Sequence, residues 1–106
     1  MDNFKAVYII LSALEKCMDL PQANTEMFNA EAVGVSDERW KKYIEMMLDC
    51  GYIKGVDVKT YINGHTVIDC NNIQITLKGL EYLQENSVMQ KMYKTMKGIK
   101  ETIPGL

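Results

Sequence analysis

Cys17, Cys50, Cys70 and His65 are the side chains of this 106-residue sequence best equipped for metal or nucleophilic chemistry, and their spacing suits neither. A zinc site draws on about four thiolate or imidazole ligands grouped in close pairs. Here the cysteine count is odd, no CxxC occurs, and the single histidine has no neighbour at ligand spacing. Free, partly buried thiols in a reducing cytoplasm are the reading this pattern favours. There is no G-x-S-x-G and no HExxH, and the carboxylate pair Asp37-Glu38 falls where a solvated helix start is expected. The sequence therefore reads as a non-enzyme, with no catalytic residue, metal or cofactor assigned.

The remaining chemistry is that of charge. Residues 1–86 carry eight Lys/Arg against thirteen Asp/Glu, a balance of −5, and residues 87–106 carry four Lys against Glu101, a balance of +3. The sum is −2. Nucleic-acid binders usually concentrate a basic surplus on one element, and only the C-terminal stretch offers one.

The elements that must position these groups follow from periodicity. Phe4, Val7, Tyr8, Leu11, Leu14 and Met18 recur at helical steps and predict a first helix over about 3–18, with these side chains on its inner face. Ile9, Ile10, Ala13 and Cys17 widen that face, so the helix is expected to be covered on more than one side. Asp2 and the early Glu15-Lys16 do not fit a signal peptide, and no apolar run of about 18 residues is available to span a bilayer. Leu20-Pro21 ends the helix. Asn24 or Thr25 is expected to cap a short second helix through Glu31-Ala32, closed by Gly34. Ser36 should cap a third, with Trp40, Tyr43, Ile44, Met47 and Leu48 inward and Gly51 at its end. From Tyr52 the period drops to about two, and Asn63-Gly64 between alternating runs predicts a hairpin with a type I′ turn. His65 to Cys70 should form the return strand. Ile73-Gln74-Ile75 follow, then helices over about 76–86 and 88–103.

Gly79 stands in the first turn of the helix after Thr76, where glycine costs about 1 kcal/mol of helix propensity. With Thr76 as N-cap, a missing Cβ there points to close packing against a neighbouring element. An anion site at the helix start is the competing reading, but a lone glycine without GxGxxG or GKS context supports it weakly.

Three helices, a hairpin and further helices make the order of a winged helix-turn-helix: a mainly α, α+β domain with a three-helix core, an antiparallel hairpin wing and two C-terminal helices. The phrases GYIKGV at 51–56, ITLKGLEYLQEN at 75–86 and KMYKTMKGIK at 91–100 resemble the YjcQ-like family of small winged-helix proteins from bacteria and phages. The resemblance spans most of the chain and carries no catalytic residues. It implies a winged-helix fold over 1–106 and a phage or prophage setting, and analogy with other proteins of that fold gives the expectation of a nucleic-acid-binding or regulatory role. The alternative is a protein-interaction or dimerisation module on the same scaffold.

In this architecture the third helix enters the major groove and the wing touches the backbone or minor groove. The candidate contacts are Arg39, Lys41 and Lys42 on the helix and Lys59 and His65 on the wing. Glu38, Glu45 and Asp49 share the outward side of the helix with Lys42, so the charge does not favour DNA. In the last helix Met89, Met92, Tyr93 and Met96 form an apolar face. It is expected to pack on the first helix or, failing that, to serve a partner or second copy. No membrane contact is expected.

Overall fold

The computed structural model describes residues 2–86. The expected helix over 87–103, with Met89, Met92, Tyr93 and Met96, lies outside the described residues. Helix α1 (Asn3–Lys16) starts at Asp2, whose carboxylate accepts from the N–H groups of Phe4 and Lys5. A single 3₁₀ turn (Cys17–Asp19) then leads into the Leu20-Pro21 stop. The buried side of α1 is the expected one through its middle, and differs at Ala6, which joins it, and at Phe4 and Met18, which do not. Ala6, Ile10, Ala13 and Cys17 join Leu11 and Leu14 in the core, whereas Phe4 and Met18 are exposed. Ala6 and Ala13 let neighbouring elements approach the helix closely, and only the two ends of the Phe4–Met18 stripe stay outside the core.

The second helix is shorter and more broken than its sequence pattern suggests. A 3₁₀ turn (Thr25–Met27) capped by Asn24 is followed by α2 (Ala30–Val33), which has its own cap, Asn29, accepting from the Ala32 N–H at 2.9 Å. Between them Phe28 takes a non-helical conformation and is completely buried, so anchoring this ring interrupts the helix. Its carbonyl accepts from the Trp40 indole N–H at 2.7 Å, which ties the segment before α2 to the next helix. That helix, α3 (Asp37–Cys50), behaves as its caps predict. The Ser36 hydroxyl accepts from the Arg39 N–H, and Gly51 closes it at φ 79°. Tyr43, Ile44 and Met47 are buried, with Trp40 and Leu48 packed at the edge of the core.

After α3 the chain forms one long antiparallel ribbon in two parts. Strand β1 (Ile53–Lys54) pairs with β4 (Gln74–Ile75), and β2 (Asp57–Thr60) pairs with β3 (Thr66–Asp69) in the register Val58 with Ile68 and Lys59 with Val67. Gly55 separates the parts at φ 78°, and a Cβ there would lie 1.9 Å from the Asn72 carbonyl oxygen. The inner part is core, with Ile53, Ile73 and Ile75 buried, whereas β2 is exposed along its whole length.

The hairpin turn is not type I′. No non-glycine residue among those described has positive φ, so Asn63 does not adopt the conformation that type requires. Instead the Gly64 N–H donates to the Tyr61 carbonyl at 2.8 Å, Gly64 alone is left-handed, and the Tyr61 N–H donates to the His65 carbonyl at 2.8 Å. This is a three-residue loop, a type I turn followed by a left-handed glycine. The Asn63 side chain stabilises it by accepting from the His65 N–H at 3.0 Å.

Among the described residues helix α4 covers 77–86. Its start is a tight joint with the end of α3. The Thr76 hydroxyl donates to the Gly51 carbonyl and accepts from the Gly79 N–H at 3.1 Å, while the Thr76 N–H donates to the Tyr52 carbonyl at 3.0 Å. Gly79 is buried beneath this joint. A Cβ added to it would meet the Tyr52 carbonyl oxygen at 2.4 Å and Ile75 Cγ1 at 2.6 Å. The packing reading of Gly79 is thus the one the coordinates support. Above it the rings of Tyr52 and Tyr82 stand 5.1 Å apart. The described residues form an α+β, mainly helical fold around one core centred on α1.

Candidate interaction surface on helix three

The capped first turn of α3 fixes which side chains face outward. A step of about 100° per residue, with Tyr43, Ile44 and Met47 buried, turns Glu38, Lys42, Met46 and Asp49 away from the core. Arg39 and Lys41 flank this line, and both are held by neighbours. Arg39 Nη1 donates to Asn3 Oδ1 at 2.9 Å and to the Tyr43 hydroxyl at 3.3 Å, and that hydroxyl donates to the same Asn3 oxygen. One guanidinium nitrogen thus helps join α3 to the start of α1, while the residue stays exposed. Lys41 is only 22% exposed along its side chain, with Nζ 3.7 Å from Glu38. Lys42 is exposed.

The two wing candidates occupy a different element. Lys59 lies on β2 opposite Val67, and His65 follows the turn; both are exposed. Between them the tip carries apolar side chains, Tyr61 and a fully exposed Ile62. The five basic candidates thus form no single continuous set. Arg39 and Lys42 share one surface, Lys41 is turned toward Glu38, and Lys59 and His65 belong to the hairpin.

The surface shared by Arg39 and Lys42 is a groove of about 610 Å³ between α1 and α3. Phe4 and Val7 line it from α1, and Tyr43 and Met46 from α3, with Glu38 and Lys42 also at its edge. Phe4 is 75% exposed and Met46 51% exposed, so the groove presents a bulky apolar residue from each helix. Sequence reasoning placed Phe4 in the core and gave Met46 no role. The available signal was the width of the apolar sector of α1, which contains more large side chains than one core face can take.

Burial rather than partner chemistry governs the titrating groups that stand out. Burial, with the Asp69 carboxylate beside it, pushes the Cys70 thiol up to about 11. Burial also raises the Tyr82 hydroxyl, with smaller contributions from Tyr52 and Asp2. All three cysteines are free, Cys17 and Cys70 buried and Cys50 exposed. Among the described residues no three His, Cys, Asp or Glu side chains are grouped to hold a metal ion, and no helix is long and apolar enough to cross a membrane.

Comparison with known proteins places this chain in a family. A family model described as YjcQ protein matches residues 8–102. A Bacillus subtilis (strain 168) protein named Uncharacterized protein YjcQ is 29% identical over 103 residues, covering 97% of this chain and 99% of that protein. No solved structure matches.

Proposed function

The chain belongs to the YjcQ family, and we propose that it is a winged helix-turn-helix whose third helix serves protein association rather than reading of duplex DNA. The winged-helix assignment is supported by chain order: α1, α2 and α3 lead through Gly51-Tyr52 into the β1–β4 ribbon, and α4 returns to the core. Three free thiols agree with a reducing cytoplasmic setting. A regulatory or adaptor role in a phage or prophage context completes the proposal.

The observation that carries the association reading is the condition of the α3 surface. A DNA-reading helix needs cations free to neutralise phosphates, since that term dominates affinity. On α3 one guanidinium nitrogen of Arg39 is held by the neutral groups of Asn3 and Tyr43, which fixes its direction but leaves its charge, Lys41 sits against Glu38, and Lys42 shares the outward side with Glu38 and Asp49. In place of a basic strip the helix offers exposed Met46 beside exposed Phe4. An apolar centre with a charged rim is the composition of protein-binding patches.

DNA binding is the second reading, favoured by the exposure of Lys42, Lys59 and His65. A mobility-shift series with duplex DNA at increasing salt separates the two. The association reading expects a dissociation constant weaker than about 10⁻⁴ M at physiological salt, beyond the usual non-specific range. Micromolar binding that weakens steeply with salt and is lost in Lys42→Ala would overturn it.

A further inference from the structure

We propose that the partner of the α1–α3 groove is a second copy of this chain, docked so that the two α3 helices lie antiparallel across a two-fold axis; this rests on the association reading above. A two-fold contact places the same patch on both sides, so the patch must be complementary to itself. The outward line of α3 has that property. Glu38, Lys42 and Met46 follow one another at four-residue spacing, so an acid, a base and an apolar side chain share one ridge. When two such ridges run antiparallel with their crossing between positions 38 and 42, Glu38 of each copy faces Lys42 of the other. One register thus forms two opposite-charge contacts by symmetry. Phe4, 75% exposed on α1, lies beside that ridge at the groove and is brought toward the contact.

The charge pattern also discriminates among occupants. A duplex would bring phosphates against Glu38, Asp37 and Asp49 as well as Lys42, and would leave Phe4 and Met46 against a polar backbone. A strongly acidic or basic partner would satisfy only one end of the Glu38–Lys42 pair. The net charge of −2 is small enough that self-repulsion does not oppose association.

The test is sedimentation of the full chain with a charge exchange. The wild-type chain is expected to show a concentration-dependent monomer–dimer equilibrium. Glu38→Lys and Lys42→Glu, each alone, bring like charges together across the axis, and each should weaken dimerisation by about tenfold or more. An equimolar mixture of the two variants should recover the dimer as a heterodimer, because one copy now carries two positive charges on the ridge and the other two negative. Phe4→Ser, which alters no charge, should also weaken dimerisation, and circular-dichroism melting verifies that each variant is folded. A wild-type chain that stays monomeric throughout would overturn the proposal and leave α3 to a different protein. Folded single variants that dimerise like wild type, or a mixture that fails to recover, would overturn it as well. Salt-sensitive duplex binding through Lys42 would instead overturn the association reading beneath it.

Discussion

Replacing Gly79 by alanine separates the packing account of this position from a propensity account, because the two give opposite signs. An alanine inside an exposed helix gains about 1 kcal/mol over glycine. At position 79 its Cβ would lie 2.4 Å from the Tyr52 carbonyl oxygen and 2.6 Å from Ile75 Cγ1, about 1 Å inside ordinary contact distance. The first obstacle is backbone, so no rotamer change relieves it. The start of α4 must move away from Tyr52, stretching the Thr76 N–H to Tyr52 carbonyl bond from 3.0 Å and loosening the Thr76 hydroxyl from Gly51. Overpacking costs about 1–3 kcal/mol, and a weakened buried hydrogen bond adds about 1 kcal/mol. Less the propensity gain, the net loss is about 1–3 kcal/mol. For a domain of roughly this size, about 1 kcal/mol moves the melting midpoint by 4–8 °C. Thermal unfolding followed by circular dichroism should therefore show Tm falling by roughly 5–20 °C. An unchanged or higher Tm would refute the close approach of α4 to Tyr52.

Other positions give shorter tests. Gly55→Ala combines a left-handed φ with a Cβ placed 1.9 Å from the Asn72 carbonyl oxygen, so chemical denaturation should show a loss of at least about 2 kcal/mol. Tyr43→Phe removes the hydroxyl that joins Arg39 and Asn3, and the same measurement should record a loss of about 1 kcal/mol with no change of secondary structure. Cys50 should react with a thiol reagent in the native state, while Cys17 and Cys70 react only as the chain opens; equal native rates would contradict their burial. Alkaline pH should destabilise the fold. The Cys70 thiol titrates near 9.0 when unfolded and at about 11 when folded, so the folded state retains the proton longer. Stability is then full below pH 9.0 and declines as pH rises toward 11, and Tyr82, raised from 10.0, acts in the same direction. A pH series of denaturant midpoints checks this sign.

What the sequence revealed and what it hid have separable causes. Caps and stops were legible because they are local: Ser36, Thr76, Gly34 and Gly51 all act as their residue types suggest. The exclusion of Phe4 and Met18 from the core was not, since both are as apolar as the buried residues of α1 and only the arrangement of the neighbours leaves them outside. The hairpin was legible and its turn type was not. Asn-Gly suits both a two-residue and a three-residue loop, and strand register made the choice. For the surface, the acidic dilution of α3 could be read from charge alone. The engagement of Arg39 with Asn3 could not, because it links residues 36 positions apart. The exposure of Phe4 and Met46 likewise depends on which side of α1 the core takes.

The account turns on what the outer face of α3 meets. Amide resonances of the chain recorded while duplex DNA is added at physiological salt test this most directly. The account predicts no saturable shift at Arg39, Lys42 or Met46, and unchanged signals from Lys59 and His65 on the wing. Saturable movement of the α3 and wing resonances together, reversed by added salt, would contradict it and make this helix a DNA-reading one.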